Sequence, residues 1–132
     1  MFQEPKNYTD SGHFFFEAVS DLEKVCNAPI DKNGVFKVLE LKNGRINLVY
    51  IGYSSSGGLF NEIVNGIHYD KNSRKTGWVN QMIKDKIEAL DIYWYVTAGK
   101  DQEKKAQVEM LKNFVEHTGK LPKWNKQETP QR

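Results

Sequence analysis

The stretch GVFKVLELKNGRINLVYIG, Gly34 to Gly52, decides the fold. Val35 to Leu41 and Ile46 to Ile51 are rich in β-formers, and the Asn43-Gly44 pair between them is a strong hairpin signal. Two registers are open. A two-residue turn pairs Lys42 with Arg45 and puts Phe36 and Tyr50 on opposite faces of the sheet. A three-residue Lys42-Asn43-Gly44 loop with a bulge at Gly44 pairs Leu41 with Arg45 and sets Phe36 opposite Tyr50. Apolar residues fall on both faces in either register, so the pattern does not choose.

Downstream of the hairpin, Ser54 to Gly58 reads as a loop. Leu59, Phe60, Ile63, Val64 and Ile67 then recur at helical spacing. Tyr69 to Gly77 is polar and basic, Trp78 to Leu90 is helical, and Asp91 to Thr97 is a third strand. Asp101 caps a helix over about 102–117, with Val108, Leu111 and Phe114/Val115 inward and Gly119 as its stop. Leu121 to Asn125 reads as an extended segment and 127–132 as a frayed tail. Upstream, residues 1–9 form a loose lead-in. Phe15, Ala18/Val19, Leu22 and Val25/Cys26 then predict an amphipathic N-terminal helix over about 11–27, stopped by Pro29. The expectation is one α+β domain over 1–132: a small antiparallel three-stranded sheet flanked by helices, with an extra N-terminal helix.

The composition fits that reading. A chain of 132 residues, 39% hydrophobic and 12% aromatic, is the size of one domain and can bury a core. No apolar run approaches the roughly 18–20 residues of a membrane span, and Met1 to Lys6 does not begin a signal peptide. Cys26 is the single cysteine, which excludes a disulfide scaffold and a structural zinc site of thiolates. A cytoplasmic protein with no membrane and no disulfide partner is expected. Residues 1–32 carry three lysines against six acids, and residues 33–132 carry sixteen Lys/Arg against eleven Asp/Glu. An acidic start therefore precedes a basic body, which permits a polyanionic partner.

Phosphate-loop and dinucleotide fingerprints are absent, and His13, His68 and His117 share no ligand spacing. Cys26 falls on a packing segment, which argues against a thiol nucleophile. What remains is an ordered set: Gly34-Val35-Phe36, Tyr50-Ile51-Gly52, His68, Glu109 and Asn125. Over roughly residues 33–125 this set resembles the GIY-YIG nuclease superfamily. The resemblance implies a metal-dependent endonuclease that hydrolyses DNA phosphodiester bonds. Tyr50 would accept the proton of the attacking water, Glu109 would hold Mg²⁺ (or Mn²⁺), and His68 and Asn125 would position the phosphate. Because such a domain has one active site, cutting both strands requires a homodimer or two successive events.

Two positions depart from the pattern. Phe36 lacks the phenol of the first tripeptide, and Glu62 stands where the family arginine belongs. A carboxylate there repels a phosphate, and losing one stabilising donor already costs about 3 kcal/mol of transition-state stabilisation. Tyr50 or Tyr53 as base, and Arg74, Lys71 or Lys75 as phosphate contact, would compensate. Lys71, Arg74 and Lys75 before Trp78, with Lys123 and Lys126 beside Trp124, are the candidate DNA contacts. The alternatives on the same chain are a non-catalytic nucleic-acid-binding module and a protein-interaction domain using its acidic N-terminal helix.

Overall fold

Asn43 and Gly44 take φ of 53° and 72°, so β2 (Gly34–Lys42) turns into β3 (Arg45–Ser54) through just two residues. In this computed structural model, which describes residues 8–99 and 102–128, Lys42 pairs with Arg45 and the ladder runs on to Leu39 and Leu48. The next pair is Val38 with Tyr50. Val49 is thus the extra residue of a β-bulge, and the bulge reverses the faces from there on. Phe36 pairs with Gly52 rather than with Tyr50, yet Phe36 and Tyr50 share one face, their ring centroids 5.9 Å apart. The turn follows the first register, and the bulge restores the juxtaposition that the second one offered. Gly52 is required by this packing. A Cβ there would lie 2.5 Å from Phe36 Cζ and 2.8 Å from Tyr50 Cε2.

The sheet has four strands rather than three, all antiparallel, in the order β1-β4-β2-β3. β4 is Ala89–Thr97, and β1 is Tyr8–Phe16. The expected N-terminal helix over 11–27 is therefore a strand, followed only by the four-residue α1 (Leu22–Val25). The helical spacing picked out Phe15 and Val19, which are 52% and 94% exposed, whereas Phe14 and Phe16 are buried. That alternation is the period of a strand. It wins because β4 needs an edge partner: Phe16 pairs with Leu90, and His13 with Tyr93. His13 Nδ1 lies 2.9 Å from Asp91 Oδ1, and its ring stacks on Tyr93 at 4.7 Å. An acidic N-terminal helix as a protein-contact surface is excluded with it.

The other helices are α2 (Leu59–Asn65), α3 (Arg74–Asp85), α4 (Glu103–Thr118) and α5 (Lys123–Glu128). α3 starts four residues earlier than the sequence reading, because the Ser73 hydroxyl accepts the Thr76 N–H and caps it. Leu90, expected at its end, belongs to β4. Gly119, at φ 83°, ends α4 as expected. The segment expected to be extended after Leu121 turns into α5 at Lys123, with Lys126 N–H donating to Pro122 O. Asp101 and residues 1–7 and 129–132 lie outside the described residues; Gln127 and Glu128 are helical, not frayed.

Helices cover both faces of the sheet. Phe14, Phe16, Leu22, Phe36, Val38, Leu59, Ile63, Trp78, Met82 and Trp124 form the larger core on one side. Val35, Leu39, Leu48, Ile51 and Tyr95 meet Ala106, Met110, Leu111 and Phe114 of α4 on the other. β2, covered on both faces, is buried from Gly34 to Glu40. Among the described residues no helix is long and apolar enough to cross a membrane. Cys26 is buried, and burial pushes its thiol up to about 11, which makes it a packing residue.

The strand assignment of β1 is open to a direct check by denaturant unfolding. Phe16→Ala is expected to cost about 3–5 kcal/mol and Phe15→Ala about 0.5 kcal/mol or less. A helix over 11–27 with Phe15 on its buried stripe would reverse that order.

Candidate functional site

A cleft of about 400 Å³ opens at the free edge of β3, lined by Tyr50, Tyr53, Ser55, Ser56, Glu62, Ile67, Arg74 and Gln107. Arg74 is the first residue of α3, and its N–H donates to Gly66 O at 2.9 Å. Its side chain is 4% exposed. The guanidinium carbon lies 5.2 Å from the Phe36 ring centroid, 5.6 Å from that of Tyr50 and 5.7 Å from that of Trp78. Three aromatic rings therefore surround the cation. Nη2 donates to Glu62 Oε2 at 3.2 Å and to Ile67 O at 3.3 Å, whereas Nη1 is buried without a hydrogen-bond partner. Gly66 makes room for this pairing: a Cβ there would sit 2.9 Å from Nη2 and 2.8 Å from Glu62 Oε2.

The carboxylate of Glu62, at the position where the resemblance expected an arginine, is thus answered by a cation from another helix. Glu62 does occupy the cleft, and the positive charge comes from Arg74, twelve positions on. Of the basic residues proposed for phosphate contact, Arg74 alone lines this cleft. Lys71 and Lys126 are exposed. Lys75 Nζ lies 3.8 Å from Asp21, and Lys123 Nζ lies 2.9 Å from Glu40 Oε1 and 3.8 Å from Asp85 Oδ2. Lys123 is therefore engaged in an internal ion pair that ties α5 to β2 and to the end of α3.

Two amide side chains close the edge of β3. Asn125 Oδ1 accepts the Ile51 N–H at 2.8 Å, and its Nδ2 donates to Ile51 O at 3.0 Å. Gln107 Nε2 donates to the same carbonyl at 2.9 Å. Asn125 acts here as a buried clamp holding α5 to the strand that carries Tyr50. His68 is also close to Arg74 in sequence but does not line the cleft. It is buried against Gly77, 4.2 Å from the Tyr69 ring and edge-on to Trp124 at 5.2 Å. Burial, acting against the Asp70 charge and with that of Arg74, lowers its pKa to about 4.

Glu109 is exposed and lines a neighbouring hollow with Tyr53, Ser55, Glu103, Lys104, Lys105, Val108 and Lys112. The reason is the phase of α4. Its inward stripe is Ala106, Met110, Leu111 and Phe114, with Gln107 beside it, while the expected Val108 is 54% exposed. Gln107 was legible in principle: it precedes Met110 and Leu111 by three and four residues, the spacing of one helix face.

Mg²⁺ takes oxygen ligands, usually one or two carboxylates plus waters. Among the described cleft residues the carboxylate is Glu62, bound to Arg74, and α4 contributes the amide of Gln107. Among the described residues no group of three His, Cys, Asp or Glu is placed to hold a metal ion. The Arg74 cleft, whose carboxylate is already paired with a guanidinium, does not fit a divalent cation. Glu109, to which the resemblance assigned one, lies outside it in the hollow that also holds Glu103.

His68 provides a pH test of the packing around α3. With a folded-state value near 4 against about 6.5 in an unfolded chain, the unfolded state binds the extra proton between these values. Stability therefore falls as pH drops from about 6.5 to 4, and is unaffected by this group above that window. NMR titration is expected to show a neutral His68 ring down to about pH 4, and His68→Phe should flatten the acid slope of the melting temperature.

The chain matches none of the protein-family models, curated proteins or solved structures with which it was compared.

Proposed function

We propose that this domain binds the phosphodiester backbone of DNA in the Arg74 cleft, as a nucleic-acid-binding module of GIY-YIG-like design without turnover. The observation that carries the reading is a guanidinium held in a polar cleft by three aromatic rings, beside the phenol-bearing Tyr50 and Tyr53. Arg is the side chain best suited to a phosphate, because its planar fork presents two parallel N–H donors. The adjoining hollow, which shares Tyr53 and Ser55 with the cleft, adds Lys104, Lys105 and Lys112. These lysines of α4, interspersed with Glu103 and Glu109, extend the cationic groups beyond Arg74, and phosphate contacts of this kind follow a backbone rather than read bases.

Hydrolysis is the second reading, and one observation favours it. Tyr50, Arg74 and Glu62 converge in a single cleft, so a proton acceptor and a phosphate-stabilising cation stand side by side. Against it stands the lining of this cleft, whose carboxylate, Glu62, is already paired with Arg74, while Glu109 lies outside it.

Fluorescence anisotropy with a short labelled DNA duplex tests the binding reading. Wild-type protein is expected to bind with salt-dependent affinity, Arg74→Gln to weaken it at least about tenfold, and Lys105→Ala to weaken it less and lower the salt slope by about 1. Supercoiled plasmid is expected to stay intact in Mg²⁺, Mn²⁺ or EDTA. Metal-dependent nicking would establish the hydrolytic reading instead. Binding that is indifferent to Arg74→Gln in a folded protein, as judged by circular dichroism, would remove the cleft from either reading.

A further inference from the structure

The Arg74 cleft is already occupied by an anion of the protein itself. We infer that Glu62 is a resident counter-anion which an incoming phosphate oxyanion must displace from Arg74, so that the carboxylate gates this site. The inference rests on the phosphate-binding reading of the cleft and adds its regulation.

The two partners differ in freedom. The Arg74 side chain is 4% exposed and the Glu62 side chain 34%. Arg74 is fixed by the start of α3 and by the rings of Phe36, Tyr50 and Trp78. Glu62 sits on the short α2 and lines the cleft with a third of its side chain open to solvent. A guanidinium this deeply buried is costly to leave without an anion. Removal of the carboxylate is therefore tolerable only when another anion takes its place. Exchange, rather than simple addition, is the route by which a phosphate enters.

The present pairing does not use the whole guanidinium fork. Glu62 Oε2 and Ile67 O satisfy Nη2, but Nη1 stays unmatched. A phosphate presents several acceptor oxygens to the fork at once. The start of α2 offers no competing anion site, because its N–H groups are taken. Gly58 N–H donates to Asn33 Oδ1, Leu59 N–H to Lys32 O and Phe60 N–H to Pro29 O. The anion in this cleft is decided between Glu62 and the ligand, at Arg74.

The test uses the full chain and the same labelled duplex, with Glu62→Gln, with Glu116→Gln as a control of equal charge change on exposed α4, and with Glu62→Gln/Arg74→Gln. Glu62→Gln is expected to bind at least about tenfold tighter than wild type, since it removes a like charge from the phosphate's position. Without ligand it should melt below wild type, and inorganic phosphate or duplex should raise its melting temperature more than that of wild type. The double variant should lose the gain. An increase no larger than that of Glu116→Gln overturns the gate and leaves the binding reading standing. No binding by wild type or by Glu62→Gln overturns both. Should Glu62→Gln fail to fold, Glu62→Asp, which keeps the charge on a shorter arm, is expected to bind with affinity above wild type; an unchanged affinity overturns the gate.

Discussion

One extra residue in β3 arranges most of what matters in this molecule. Had the pairing of Lys42 with Arg45 continued without interruption, Phe36 would face Ile51 and point away from Tyr50. Val49 inserts a bulge, and beyond it Phe36, Val38, Tyr50 and Gly52 share the face that packs on α2 and α3. Ile51 turns to the α4 side, where its backbone receives Gln107 and Asn125. A ladder defect of one residue thus supplies the aromatic wall for Arg74 and the anchorage for two helices.

Arg74 depends on that wall. A cation with 3% residue exposure survives in the fold because Phe36, Tyr50 and Trp78 present their faces to it and Glu62 supplies the opposite charge. Phe36 serves Arg74 as a ring face, and at 0% exposure a hydroxyl in its place would require a buried partner of its own. Glu62, which looked like a charge of the wrong sign at a phosphate site, is the counterion of an arginine that arrives from α3.

The three histidines and the lysines illustrate how residue type alone overstates chemistry. His13 bridges β1 and β4 through Asp91, His117 Nδ1 contacts the Asn113 carbonyl at the end of α4, and His68 is held neutral in a packed pocket. Lys75 and Lys123 face acids of their own protein. The basic groups that adjoin the cleft, on α4, have no motif around them, and only the stacking of that helix against β3 brings them there.

Local chemistry was enough to determine the β2–β3 hairpin, the third strand of the sequence reading, the helical character of α2, α3 and α4, and the end of α4 at Gly119. Each rests on contacts within a few residues: a turn that tolerates positive φ, a capping side chain, a short apolar period. Tertiary structure decided the rest. The segment from Tyr8 to Phe16 is compatible with a helix by spacing, and becomes a strand because β4 offers an unpaired edge to which its backbone N–H and C=O groups can bond. The phase of α4, which turns Gln107 inward and Glu109 outward, is set by the groove that β2 and β3 present to it. The partner of Arg74 is a residue twelve positions away on another helix. Hydrogen-bonding edges, packing grooves and counterions are supplied by distant parts of the chain, and no local pattern contains them.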